Sequence, residues 1–337
     1  MRRVVALLLI AAAPLLAAAV LRAQIAAPPN WAYGIDPNAP PPAPAGGGGG
    51  GGAAQGPQDT SMKQVPGSTL SFTLAQIRNG FGPADWFPSD HPAMPEIVAH
   101  GKQPDARACS LCHYPNGKGR PENAGVSGLP KSYFLQQLRD FRADLRKSAE
   151  PKKANTNIMI AIAKALTEQE MQQAADYFGA IKWTTPWVRV VESKTVPKTR
   201  LNGGLYVRLD GEATEPLGKR IIEMPENAEQ SETLRNPHSG FVAYVPEGSI
   251  KKGEALVTTG GNGKTIQCAN CHGADLKGVG PVPGIAGRSP SYLSRQMYDM
   301  QSGARHGEWT ELMKPVVAKL TEEDLIDIAA YVGSRNP

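Results

Sequence analysis

The chain contains 337 residues, carries a formal net charge of +5 at pH 7 and has only four cysteines. Its basic residues form no array with interleaved aromatic rings, so we expect no nucleic-acid partner. The cysteines fall into two C-x-x-C pairs, and a disulfide inside such a pair is reactive rather than structural. With no other thiol in the chain, a fold held together by disulfides is excluded.

Residues 1–23 have the pattern of a secretory signal peptide. Two arginines precede an apolar run over residues 4–21, and small residues lead to a cleavage site after Ala23. The run is just long enough to span a bilayer, so an uncleaved membrane anchor is the alternative, although Pro14 and Arg22 argue against it. The pattern predicts export to the periplasm, with a membrane tether as the second possibility.

Residues 24–60 are rich in Ala, Pro and Gly and include three consecutive prolines and a run of seven glycines. We predict a tether that is partly stiff and partly flexible and that contributes nothing to a core. Trp31 and Tyr33 interrupt this composition, but two aromatic residues alone do not predict where they dock.

The first folded unit is expected over residues 61–181 as a set of helices around one site. Proline at the start and glycine at the end indicate a short helix over 92–101. Apolar residues at helical spacing predict a second helix over 131–147. A capping box at 167–170 opens a further helix.

The sequence Cys109-Ser110-Leu111-Cys112-His113 lies between the first two of these helices and recurs as Cys268-Ala269-Asn270-Cys271-His272. In a C-x-x-C-H motif, two thiols one helical turn apart form thioethers with the porphyrin vinyl groups, and the adjacent imidazole becomes an axial iron ligand. A zinc site would need four ligands converging on one ion, and the long gap between the pairs is unlike a zinc finger or ribbon. We therefore predict two covalently bound haem c groups.

Residues 182–248 follow a different pattern. Short β-prone runs over 188–191, 206–209, 220–222 and 241–245 are separated by Pro, Gly and charged residues. The segment is predicted to form short hairpins and loops that bridge or cover the two haem domains. An elaborate linker and a docking surface for a partner both remain open.

The last unit, residues 249–337, repeats the first. When the second motif is aligned with the first, four polar residues match between the copies. The pairs are Tyr133 with Tyr292, Gln137 with Gln296, Asp140 with Asp299 and Arg146 with Arg305. We expect the matched Tyr, Gln and Asp residues to support the haem domains and not to form two duplicate active sites.

The repeat also selects the sixth iron ligand, because a ligand should be matched in both copies. Met159 precedes Thr167 by eight residues, and Met313 precedes Thr321 by eight. The other methionines and the four remaining histidines have no such match. Core positions are expected for Met171, Met297 and Met300, and solvated or structural roles for the histidines. The predicted iron ligands are thus His113 with Met159 and His272 with Met313, and a filled coordination sphere favours electron transfer.

The chain resembles the bacterial periplasmic dihaem cytochromes c, in which two class I cytochrome domains are joined. The resemblance covers roughly residues 94–179 and 249–333 and is carried by both motifs, both matched methionines and the Tyr-Gln segments that follow each motif. It implies a mainly α fold of two tandem class I cytochrome c domains, with a short β-prone inserted segment between them. It also implies two haems near the domain interface that exchange electrons.

The predicted function is electron transfer between periplasmic or membrane redox proteins, such as a dehydrogenase, a bc-type complex or a terminal oxidase, with no catalytic residues. One alternative is a cytochrome subunit of a membrane-associated dehydrogenase or oxidase complex. Another is a dihaem enzyme, such as a peroxidase or a thiosulfate-oxidising cytochrome. The enzyme would need an exchangeable iron site or a cysteinate ligand, and thioethers use all four cysteines.

Overall fold

The computed structural model describes residues 27–36 and 59–337; the predicted signal peptide and most of the predicted tether lie outside these residues. Helices account for 37% of the described residues and strands for 13%. No helix in this part of the chain combines the length and the apolar character needed to cross a membrane. The helices are α1 (Asn30–Tyr33), α2 (Leu74–Ile77), α3 (Glu96–Ala99), α4 (Cys109–His113), α5 (Lys131–Arg142), α6 (Ala154–Ala165), α7 (Glu168–Ala180), α8 (Ser249–Thr259), α9 (Ala269–His272), α10 (Pro290–Gln301), α11 (Lys314–Val317) and α12 (Glu322–Gly333).

The strands lie mainly between α7 and α8. They are β1 (Val188–Glu192), β2 (Thr195–Pro197), β3 (Thr199–Asn202), β4 (Leu205–Arg208), β5 (Thr214–Pro216), β6 (Ile222–Pro225), β7 (Phe241–Val245), β8 (Gly278–Val279) and β9 (Val282–Pro283). The strands β1, β7 and β6 form a sheet in that order, with β1 parallel and β6 antiparallel to β7. The pairs β2–β5, β3–β4 and β8–β9 are antiparallel.

The first unit is built from α3 to α7 around its own apolar core. Helix α5 packs against α6 and α7 and places Phe134 and Leu138 in that core beside Phe178. The predicted capping box is present, because the Thr167 hydroxyl accepts from the Glu170 N–H and the Glu170 carboxylate accepts from the Thr167 N–H. The predicted helix over 131–147 is too long, since α5 ends at Arg142 and Asp144 adopts a positive φ of 60°.

The second unit centres on the packing of α8 against α12, with α10 lying across α12. This close packing requires Gly253, because a Cβ atom there would lie 1.9 Å from the carbonyl oxygen of Asp327. The three-stranded sheet shares the core of this unit. Side chains from the sheet, including Val188, Ile222 and Phe241, belong to one buried cluster with residues of α8 and α12.

The segment between the units also contacts the first unit. The Trp187 indole N–H donates to the carbonyl oxygen of Gly119 at 3.1 Å, and the Trp86 indole N–H donates to that of Leu234 at 2.8 Å. The Arg235 guanidinium donates to the carbonyl oxygen of Leu111, inside the first motif. This segment therefore packs on both units.

The expectation that residues 24–60 add nothing to a core is wrong for residues 27–36. Helix α1 buries Trp31 and Tyr33, and Gly34 ends it in the left-handed conformation. The Trp31 indole N–H donates to Glu322 Oε1 at 2.9 Å, and the Tyr33 hydroxyl donates to Asp299 Oδ1 at 2.7 Å. The average composition of residues 24–60 does not indicate this contact, because two large aromatic rings with polar tips are enough to anchor a short segment.

Candidate haem sites

The first motif forms the short helix α4, which places Cys109 and Cys112 one turn apart. Burial raises the pKa of the Cys109 thiol to about 12 and also raises that of Cys112. A reactive dithiol would instead need a lowered thiol pKa. The motif thus presents two protonated, largely buried thiols beside an imidazole.

The His113 ring is oriented by one hydrogen bond. Its Nδ1 lies 2.8 Å from the carbonyl oxygen of Ala124, and because a carbonyl only accepts, Nδ1 carries the proton. This leaves Nε2 as the nitrogen available to a metal, an arrangement typical of ligating histidines. Burial lowers the pKa of His113 and favours the neutral imidazole that a metal requires.

The second motif repeats this geometry. Cys268 caps α9, and His272 Nδ1 lies 2.8 Å from the carbonyl oxygen of Pro283 in β9. Burial lowers the pKa of His272 and raises that of Cys268 to about 11. Ala124 follows His113 by eleven residues, as Pro283 follows His272, so the duplicated backbone orients both rings alike.

A cavity of about 190 Å³ adjoins the first motif. Cys109, Cys112 and His113 line it together with Met159 of α6, so the four predicted first-site residues meet in one place. Apolar side chains make up most of the remaining wall on the first-unit side; they include Val126, Phe134, Leu138, Ile162 and Phe178. Apolar walls with an imidazole and a thioether are suitable for a porphyrin.

Met313 lies where a 3₁₀ turn, Glu308–Leu312, meets α11. Its side chain and that of Cys268 both pack against the core of the second unit. Within residues 27–36 and 59–337, no three His, Cys, Asp or Glu side chains are grouped as a metal-ion site. The assignment of Met159 and Met313 as iron ligands stays a prediction.

The matched polar residues meet across the interface between the two units. Arg146 donates to Tyr292 Oη and to Gln296 Oε1, both at 2.9 Å. Arg305 reciprocates, donating to Tyr133 Oη at 3.0 Å and to Gln137 Oε1 at 2.8 Å. The expected role as supports within each haem domain was therefore too narrow, because the Tyr and Gln residues bind the arginine of the opposite unit.

Backbone hydrogen bonds also join the two units reciprocally. Arg146 and Arg305 form an isolated antiparallel bridge, and the Lys147 N–H donates to the Ala304 carbonyl oxygen at 2.9 Å. The His306 N–H donates to the Leu145 carbonyl oxygen at 2.8 Å. Tyr292, Gln296, Arg288 and other second-unit residues also line the first cavity, so the first site extends to the interface.

Sequence analysis did not identify several charged residues of this region, among them Lys153 and Arg295. Lys153 is buried in the first cavity, and Arg295 also lines it. Arg295 donates to the carbonyl oxygens of Ala32 at 2.7 Å and Pro121 at 3.1 Å, and so joins the N-terminal segment to both units. No lysine of the second copy marks this position, because Gly307 stands six residues before Met313 as Lys153 stands six before Met159.

Three of the histidines outside the motifs have structural partners. His91 Nε2 lies 3.1 Å from Asp85 Oδ2, and His306 Nδ1 lies 2.9 Å from the carbonyl oxygen of Gly303. His238 contacts the Asp90 carboxylate and stacks on Phe87. These contacts confirm the expectation of structural roles.

The Cytochrome c family model matches the chain twice, at residues 98–182 and 250–336. The thiosulfate dehydrogenase electron acceptor of Stutzerimonas stutzeri is 37% identical over 238 residues, which cover 69% of this chain and 82% of that protein. Cytochrome c4 of Azotobacter vinelandii is 33% identical over 248 residues, covering 72% and 90%. The solved structure of Acidithiobacillus ferrooxidans cytochrome c4 aligns with a TM-score of 0.42 and 21% identity, covering 67% of this chain and 97% of that one.

The chain therefore belongs to the cytochrome c family. It is a dihaem protein of two tandem class I cytochrome c-like domains with two covalently bound haem c groups, and it transfers electrons between redox partners. The predicted family, cofactor content and main function are confirmed, and of the predicted fold the two tandem class I cytochrome c-like domains are confirmed.

Proposed function

We propose that both irons are closed by axial ligands, His113 with Met159 and His272 with Met313, and that the chain is a periplasmic electron carrier without substrate turnover of its own. Both imidazoles have Nδ1 bound to a backbone carbonyl, which leaves Nε2 for iron. A thioether is a soft, neutral ligand that favours ferrous iron. With both axial positions filled, iron changes oxidation state with little rearrangement.

The observation that carries this proposal is the shared wall of the first cavity. His113 and Met159 line it from the first unit, and Tyr292 and Gln296 line it from the second. The same Tyr and Gln accept hydrogen bonds from Arg146. The first haem site thus extends to a hydrogen-bonded contact between the haem domains, the arrangement that an internal electron relay needs.

The ligand assignment is tested by the weak far-red absorption band of methionine bound to ferric haem. We expect Met159→Ala to remove about half of the band and to let carbon monoxide bind one ferrous haem, because one of two equivalent axial positions opens. Met171→Leu is the matched control, since Met171 is a buried core residue that lies outside the cavity wall. A full band in Met159→Ala would contradict the assignment.

We further propose that redox partners dock at the second domain. No residue of the first motif is exposed, whereas Asn270 and Cys271 of the second are. The first motif is covered in part by Arg235 from the segment between the units. Three exposed hydrophobic residues adjoin the second site along the chain: Ile266 is 42% exposed, Val279 58% and Leu312 74%.

Substituting these residues tests the docking face. Leu312→Asp and Ile266→Asp should slow electron exchange with a small redox protein, because each places a charge in an apolar contact. Met62→Asp is the matched control, since Met62 is 59% exposed in the N-terminal part of the first unit. Equal rates for Leu312→Asp and Met62→Asp would exclude this face.

A second candidate function is the electron-accepting partner of a dehydrogenase that oxidises a sulfur compound. It is favoured by the 37% identity to the thiosulfate dehydrogenase electron acceptor over 69% of this chain. The test mixes the purified protein with a thiosulfate dehydrogenase and thiosulfate and follows haem reduction. Rapid reduction that needs both enzyme and thiosulfate would support this partner, and reduction no faster than with thiosulfate alone would exclude it.

A further inference from the structure

One amine in the first cavity lacks a partner. Lys153 is 2% exposed, and its Nζ makes no hydrogen bond within the described residues. The residue caps the N-terminus of α6, the helix that carries Met159, and it lines the same cavity as His113. A buried ammonium without a counter-ion is costly, so an anion that enters the cavity would stabilise the charged form of Lys153.

Among the residues that the structure describes, no charged side chain near Lys153 forms an ion pair with its amine. Burial and the nearby Arg295 lower the pKa of Lys153 to about 7, while Glu122 and Asp299 act in the opposite direction. Asp299 is already bonded to the Tyr33 hydroxyl and to the Ala149 N–H. Glu122 lies 2.7 Å from Arg120 through Oε1 but leaves Oε2 without a partner, which makes it the rival partner for Lys153.

Haem c brings two propionate carboxylates into its pocket. We propose that Lys153 pairs with a propionate of the first haem and raises the reduction potential of that haem. The proposal rests on the first haem lying in the cavity lined by His113. A fixed positive charge in a site of low dielectric stabilises ferrous over ferric iron, because reduction removes one positive charge from the iron.

The second haem has no equivalent lysine. Counting back six residues from the matched methionines aligns Lys153 with Gly307. A Cβ atom at Gly307 would lie 2.1 Å from Asp140 Oδ2, so that position has no room for a side chain. The charge therefore acts on one haem and makes the two potentials unequal.

The test measures the potential of each haem and the propionate carboxylate vibrations of Lys153→Met and Lys153→Gln. Pyridine haemochrome assays first establish two haems per chain, so that a missing haem, which would refute the proposed function, is recognised separately. At a fixed ambient potential we expect the ferric-to-ferrous ratio of the first haem to rise about tenfold, or about 59 mV for one electron, while the second haem is unchanged. The propionate band of the first haem should also shift.

Lys153→Arg should restore both signals, and Lys152→Met is the matched control because Lys152 is exposed. A first-haem potential in Lys153→Gln equal to that of the control would overturn the proposal. So would an unchanged propionate band, which is the result expected if Lys153 pairs with Glu122 instead.

Discussion

Tyr33 tests whether the N-terminal segment belongs to the folded body. Its side chain is wholly buried, its hydroxyl donates to Asp299 Oδ1 at 2.7 Å, and its ring meets that of Tyr298 edge-on at 6.3 Å between centroids. Two substitutions separate these contributions. Tyr33→Phe removes the hydrogen bond alone, and Tyr33→Ala removes the ring as well.

The expected losses follow from these contacts. A hydrogen bond to a charged acceptor contributes about 1.5–3 kcal/mol, and truncating a buried aromatic residue to alanine costs about 3–5 kcal/mol. Burial raises the pKa of Asp299, and the Tyr33 hydroxyl acts against that rise. Tyr33→Phe should therefore raise the pKa of Asp299 further, in addition to lowering the free energy of unfolding.

The assay is thermal unfolding of the haem-loaded protein, followed by far-ultraviolet circular dichroism. At roughly 2–4 °C per kcal/mol, Tyr33→Ala should lower the melting temperature by about 6–20 °C, and Tyr33→Phe by less. Asn30→Ala is the control, because Asn30 is exposed in the same short helix. If Tyr33→Ala melts at the same temperature as Asn30→Ala, the segment does not pack on the body and the reasoning is refuted.

Three further outcomes are expected. The denatured chain should keep two haem mass increments, and acid-acetone should extract no haem, because thioethers are covalent; released haem would contradict this. Met313→Ala should lose about half of the far-red methionine band and bind carbon monoxide at one haem, and an unchanged band would show that another sulfur is the ligand. Arg305→Leu should remove a hydrogen-bond donor from the buried Gln137 and from the partly buried Tyr133 and Gln296. Amide exchange at Lys147, which bonds across the interface, should then become faster, whereas in Arg139→Leu, which alters an exposed arginine, it should not.

The covalent attachment of haem could be predicted from the sequence, because it requires a fixed spacing of the cysteine and histidine residues. Cys109 and Cys112 must lie one turn apart with His113 adjacent, and duplication identified the matched Met159 and Met313, whose role as iron ligands stays a prediction. The capping box at Thr167 was likewise a local signal. Such features depend only on near neighbours along the chain, so pattern and position are enough to find them.

Long-range contacts could not be predicted from the sequence in the same way. Tyr33 meets a residue 266 positions away, and nothing near Tyr33 along the chain indicates that partner. The repeat identified Tyr133 and Tyr292 as matched, but only the three-dimensional structure shows that each accepts from the arginine of the other unit. Lys153 had no counterpart to mark it, so its burial was invisible until the cavity around it was known.

The central claim is that protein ligands fill both axial positions of each iron, so that the chain transfers electrons and converts no substrate. The most direct test compares stopped-flow reduction by a small redox protein with steady-state turnover of peroxide or thiosulfate by the isolated chain. The predicted result is rapid reduction of both haems and no turnover, because the proposed ligand pairs leave substrate no open axial position. Sustained turnover of either substrate that is lost when Met159 or Met313 is replaced would contradict the claim and would make the protein an enzyme.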